Sequence, residues 1–169
     1  MKLRTGSAAV AALALALLAA PRPARAVGPD LLALGLGAYD VRHGDTEAEL
    51  RIEYRFAHSF LWIIKPLVGA FVATDGTLLG YAGARIELAL TDHLVLLGDA
   101  AAGYWRHGRG LDLGDALEFK TGGELAYRFD DESRLSVAFD HISNAGIAKL
   151  NPGVESLLLI YSFPLGGAR

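Results

Sequence analysis

Cysteine is absent from the 169 residues, which excludes a disulfide framework, a thiolate nucleophile and a cysteine metal site. Charge is scarce as well. Only 21% of residues are charged against 52% hydrophobic, an apolar balance for a water-soluble domain. Yet no stretch after Ala26 is both long and apolar enough for a membrane-spanning helix. Helical periodicity is weak throughout. His43, His58, His93 and His107 are scattered among loops and run ends without ligand spacing, so neither a metal nor any other cofactor is expected.

What is present begins with a leader. Lys2 and Arg4 make a basic start, Ala8 to Ala20 is almost wholly Ala, Leu and Val, and Ala24-Arg25-Ala26 has the small-x-small pattern of a signal peptidase site. Residues 1–26 therefore read as a secretory signal peptide and 27–169 as the folded domain. The leader holds four of the 16 Lys and Arg and none of the 19 Asp and Glu, which leaves 12 basic and 19 acidic residues and a net charge of −7. Nothing in that balance suggests nucleic acid as a partner.

Beyond the leader, runs of about ten residues alternate with turns, the rhythm of barrel strands. The runs are Leu31 to Val41, Ala48 to Phe56, Phe60 to Thr74, Leu78 to Leu90, His93 to Trp105, Ala116 to Phe129, Arg134 to Ile142 and Val154 to Phe163. The second alternates cleanly. Leu50, Ile52, Tyr54 and Phe56 share one face, and Glu49, Arg51, Glu53 and Arg55 share the other. Pro66 blemishes the third, because a proline removes a ladder donor. Eight antiparallel strands can close and so remove every edge. The fold class expected is therefore all-β, an eight-stranded antiparallel barrel.

A leader and eight strands leave two barrels open. A membrane barrel is apolar outside and polar inside; a soluble lipocalin-like barrel is the reverse. Connections after the second, fourth and sixth runs are short, and those after the first, fifth and seventh are longer, the habit of outer-membrane barrels. The Asp75-Gly76 turn is the exception. Tyr54, Phe56, Phe60, Trp62, Tyr127, Phe129, Tyr161 and Phe163 gather towards the short-turn end, and Tyr39, Tyr104 and Trp105 towards the other, as two interfacial girdles would. The membrane barrel is the preferred reading. Glu49, Arg51, Glu53, Arg55, Arg85 and Glu87 would then pair inside it.

The chemistry lies in the last hairpin. His141 and Ser143 share the apolar face of the seventh run, and Glu155 opens the apolar face of the eighth. Residues i and i+2 on a strand lie roughly 7 Å apart and point the same way. His141 can therefore reach Ser143, and Glu155 can hold the far nitrogen of His141. Ser143 would be the nucleophile, His141 the general base and Glu155 the orienting carboxylate. Asn144, Gly146 and Asn151 supply candidate donors for a tetrahedral oxyanion. The same residues also read as a barrel hairpin with a polar loop.

The stretch His141-Ile142-Ser143-Asn144-Ala145-Gly146, followed by Asn151-Pro152-Gly153-Val154-Glu155-Ser156, resembles the C-terminal signature of the PagL-type lipid A 3-O-deacylases. The close resemblance covers the last fifth of the chain. It implies an eight-stranded barrel in the bacterial outer membrane that hydrolyses the acyl ester at position 3 of lipid A. It also implies His141, Ser143 and Glu155 as the catalytic residues, with Asn144, Gly146 and Asn151 around the oxyanion. Lipopolysaccharide would be the substrate and outer-membrane lipid the surroundings, and a homodimer is compatible with this reading. Two features depart from the pattern. Residues 164–169 follow Phe163, where such barrels often end on an aromatic residue, and Arg106-His107-Gly108-Arg109 does not map onto the family pattern. Two readings of those cations and Lys149 stand side by side, contacts to the lipid A phosphates and a solvated loop. The competing reading is a non-enzymatic outer-membrane barrel with a structural or adhesive role.

Overall fold

The computed structural model describes residues 28–44, 46–60 and 63–166. The leader expected over 1–26, Trp62 and the end of the C-terminal tail lie outside them. Eight strands form a closed barrel: β1 (Asp30–Tyr39), β2 (Glu47–Arg55), β3 (Lys65–Ala73), β4 (Leu78–Ala89), β5 (Leu94–Arg106), β6 (Leu117–Arg128), β7 (Arg134–Ser143) and β8 (Val154–Leu165). Each strand pairs antiparallel with its neighbours in sequence, and β8 returns to β1 through Tyr39 opposite Ser156.

Alternation along the strands decides which barrel this is. Leu36, Leu50, Val137 and Leu159 are exposed on the outside, whereas Glu49, Arg51, Glu53 and Arg55 are buried within. An apolar exterior around a charged interior is the membrane-spanning arrangement and inverts the lipocalin-like one. Buried charges persist only when paired. Arg51 pairs with Glu49 and Asp140, Arg55 with Glu53 and Glu124, and Arg85 with Glu87, which also meets Lys65 and Arg134. Lys120 bridges Asp99 and Asp140. The alternating charges of β2 thus find one another inside, as expected, together with Glu124 of β6 and Asp140 of β7, which periodicity in β2 could not name.

Three expectations change. The third strand starts at Lys65, not Phe60, and Phe60 forms an isolated bridge with Ile64 instead. Pro66 is tolerated because it is the second residue of β3, where its missing N–H would face Phe56 just beyond β2. The Phe56 carbonyl accepts from Arg85 Nη2 instead, at 3.0 Å. The aromatic girdle holds at one end only. Tyr54, Tyr127 and Tyr161 each pack edge-on against the Phe two residues later, near the β2–β3, β6–β7 and C-terminal ends. At the other end Tyr104 faces out, but Tyr39 and Trp105 are 1% and 3% exposed and pack with Phe71 inside the mouth.

The short Asp75-Gly76 turn sits at that mouth because the β5–β6 connection folds over it. Arg109 N donates to Asp75 O, Gly110 N to Asp75 Oδ2, and Gly108 N to Thr77 Oγ1. A Cβ at Gly108 would lie 2.4 Å from Thr77 N, so the glycine permits the approach. This contact occupies the backbone of Gly108, Arg109 and Gly110, and the Arg106 and Arg109 residues remain exposed.

Candidate functional site

The site forms where β7 meets β8 at the mouth. Along β7 the side chains of Asp140 and Ile142 turn inward and are buried, so His141 and Ser143 turn outward. The register sets His141 directly opposite Glu155, and Val154 beside it faces the interior. His141 Nδ1 and Glu155 Oε1 are 3.1 Å apart. Donation from Nδ1 to a carboxylate leaves Nε2 with its lone pair, the form a general base requires. Ser143, the last residue of β7, stands opposite Phe119 and two places from His141 on the same face. Among the described residues no hydrogen bond joins Ser143 to His141, so the structure brings the imidazole and carboxylate together and leaves the hydroxyl unattached beside them.

Glu155 is held tightly for an outward-facing residue. Its side chain is 6% exposed, and Arg42 Nη1 donates to the same Oε1 at 2.9 Å. Arg42 is 113 positions away in the chain, and only closure of β8 onto β1 brings it here. Nothing in the spacing of the last hairpin signals its part. The imidazole is braced from the other side by Gly153. A Cβ there would lie 2.6 Å from His141 Cε1, and φ at Gly153 is +70°. The glycine thus lets the backbone lie against the ring, rather than merely loosening the loop.

The three expected oxyanion residues separate into two roles. Asn144 is 0% exposed, and its Nδ2 donates to Leu113 O and Leu150 O, each at 2.7 Å. Its backbone N donates to Asn151 Oδ1, and its own Oδ1 accepts from Gly146 N at 2.9 Å. Asn144 therefore ties the β7–β8 loop to the β5–β6 loop, and its Nδ2 and the Gly146 N–H both donate within those loops. Asn151 is exposed and spends its carbonyl oxygen on the loop, which leaves Nδ2 as its donor.

Beside the site the outer wall is flat. Opposite His141 lies Thr121, then Ala100 and Ala84 across β5 and β4; one step deeper, Phe139 faces Gly123, which faces Gly98. Gly122 is needed for packing, since a Cβ there would overlap Asp140 Oδ1, but a Cβ at Gly123 would meet nothing within 4 Å. A glycine inside a strand weakens it and often marks a bulge, a bend or a close approach by another group. No interior contact explains Gly123.

Residues 67–164 match the family model described as lipid A 3-O-deacylase (PagL). That span is more than half of the chain and includes His141, Ser143 and Glu155. Among solved structures the chain resembles one described as the crystal structure of the outer membrane enzyme PagL, with a TM-score of 0.61 and 21% identity over 80% of this chain and 99% of that one. It also resembles a de novo designed transmembrane β-barrel, with a TM-score of 0.62 and 12% identity over 83% of this chain and 98% of the other. At these identities the structural likeness is one of fold. No curated protein sequence matches the chain.

Proposed function

On the premise that the chain belongs to the lipid A 3-O-deacylase (PagL) family, we propose that it is a serine esterase of the outer membrane that removes the 3-hydroxyacyl chain esterified at position 3 of lipid A. The observation that carries this reading is the His141 Nδ1–Glu155 Oε1 contact at 3.1 Å, on the lipid-facing wall and beside an unattached serine. A barrel hairpin with a merely polar loop has no reason to hold a His–carboxylate pair on an apolar surface. Polar groups at membrane depth are costly unless they pair or act.

Ser143 Oγ attacks the ester carbonyl while His141 Nε2 takes its proton. Glu155 keeps the imidazole in the Nδ1–H tautomer and balances the imidazolium that forms. The tetrahedral oxyanion accepts from Asn151 Nδ2, a donor of a kind whose removal costs about 2.7–4 kcal/mol of barrier stabilisation. Collapse breaks the bond between the acyl carbon and the sugar 3-oxygen. His141 returns its proton to that oxygen, leaving the acyl group on Ser143. Water, deprotonated by His141, then releases the fatty acid and restores Ser143. Gly146 and Asn144 fix the turn that carries Asn151, and the deficit of side chains at Gly123 and Gly98 gives the acyl chain a place against the wall. The substrate enters sideways from the outer leaflet, and the ion-filled interior takes no part.

Mass spectrometry of lipid A from cells making the protein tests the reading. Loss of one 3-hydroxyacyl chain supports it. An unchanged lipid A profile from cells with the barrel folded in the outer membrane favours a non-enzymatic barrel.

A further inference from the structure

The β1–β2 connection grips a single residue of the site twice. Val41 N donates to Glu155 O at 3.1 Å, and the next residue, Arg42, donates from Nη1 to Glu155 Oε1 at 2.9 Å. The turn is built to hold that pose. Asp40 takes a positive φ of 56°, its Oδ1 lies 2.6 Å from His43 Nδ1, and its carbonyl accepts from Thr46 Oγ1 at 3.2 Å. A non-glycine residue in this backbone region is uncommon and persists where surrounding contacts enforce it. The result carries a guanidinium onto Glu155 while the Arg42 side chain stays 69% exposed.

We propose that Arg42 is a positioning residue of the hydrolytic site, clamping the Glu155 carboxylate in the pose that meets His141 Nδ1; this rests on the reading of Ser143, His141 and Glu155 given above. Glu155 faces the lipid side of the wall near its edge, where water is close. Its other oxygen, Oε2, is buried without a hydrogen-bond partner among the described residues. Among the described residues two side chains therefore hold the carboxylate, Arg42 and His141. Without Arg42, its best alternative is to swing towards water at the membrane surface, as charged chains near an interface do. His141 would then lose the acceptor that sets its tautomer and orientation. Arg42 touches no reacting atom in this scheme. It acts through Glu155, as partners behind a ligating or catalytic side chain commonly do.

The contact uses one N–H of the guanidinium rather than the two-pronged fork. A lysine ammonium can supply one donor, whereas it cannot replace a fork. This separates clamping from bulk or loop effects. The test compares Arg42→Met, which keeps the length and removes the donor, with Arg42→Lys. Each full-length protein is folded in detergent micelles, and its barrel is verified by the mobility of unheated sample on an SDS gel. Initial rates of 3-hydroxy fatty acid release are measured over a range of lipid A concentrations, with Ser143→Ala as the control.

Arg42→Met should lower kcat by about tenfold to a hundredfold, the usual loss when a supporting partner is removed. KM should stay within about twofold, because binding groups are untouched. Arg42→Lys should recover most of the lost kcat. The proposal is overturned if Arg42→Met leaves kcat unchanged, if it raises KM alone, or if Arg42→Lys is as slow as Arg42→Met in equally folded barrels. A rise in KM alone would make Arg42 a contact for the lipid A phosphates. Turnover persisting in Ser143→Ala would instead remove the underlying site assignment, and the Arg42 proposal with it.

Discussion

Replacing Gly153 with alanine probes how closely the site is set, and the structure supplies the magnitude. The new Cβ would stand 2.6 Å from His141 Cε1 and 3.3 Å from Nε2, well inside contact distance. The backbone at 153 is also left-handed, at φ +70°. Forcing an L side chain there costs about 1–2 kcal/mol. That is a fraction of the roughly 5–15 kcal/mol that keeps a domain folded, so the barrel should still close. Relief is easiest from the imidazole, a side chain that can turn, because position 153 is backbone directly preceding β8. To restore ordinary contact the ring must withdraw by about 1 Å, and a misplacement of that size costs on the order of a hundredfold in rate. The prediction is therefore a barrel that runs as folded on an unheated SDS gel while kcat on lipid A falls about a hundredfold, the loss expected for a 1 Å misplacement. The assay is release of 3-hydroxy fatty acid, followed by liquid chromatography and mass spectrometry. A Gly153→Ala protein with kcat within about threefold of the parent, a difference under 1 kcal/mol, would show that the ring contact does not position the base.

Two further substitutions separate fold from site. Asp140→Ala removes the shared partner of Arg51 and Lys120 from the interior; breaking such a buried pair costs roughly 3–5 kcal/mol, so the urea midpoint in micelles should fall while activity per folded barrel stays near the parent value. A proportionate loss of kcat in the folded fraction would tie the interior to the chemistry. Gly123→Leu adds a side chain where a Cβ meets nothing, so folding should be equal or better; the acyl chain should lose its place on the wall, raising KM and shifting preference towards shorter chains. Unchanged kinetics on long-chain lipid A would show that the chain lies elsewhere.

Much of this was legible before the fold was known, for reasons particular residues make plain. The period of two in β2 separates Leu50 and Ile52 from Glu49 and Arg51, and a closed barrel leaves one inside and one outside for each. The same parity puts His141, Ser143 and Glu155 on one wall, because the two strands are adjacent and joined by a single loop. Tyr39 turns inward against expectation since both faces of β1 beyond Asp30 are apolar and alternation carries no sign there; in β5 the single charge on the Trp105 face, Asp99, marks the inward side. Phe60 was counted into β3 because an aromatic bounded by a turn looks like a strand start, whereas the pairing register with β2 begins only at Leu67 opposite Arg55. Arg42 was invisible for a different reason. Its partner is at the far end of the chain, and only the closure of β1 on β8 makes them neighbours. The part Asn144 plays in tying the loops is hidden as well, because its partners, Leu113 O and Leu150 O, lie in loops whose paths are not written in any local pattern.

The account turns on Ser143 as the nucleophile of an ester hydrolysis at the outer wall of the β7–β8 hairpin. Lipid A extracted from cells producing the parent protein and from cells producing Ser143→Ala at equal folded levels tests this directly by mass spectrometry. The parent should show lipid A lighter by one 3-hydroxyacyl chain. The Ser143→Ala cells should show lipid A at full mass, since removing a triad serine leaves only a small residue of the rate. The same lighter species in both would contradict the assignment.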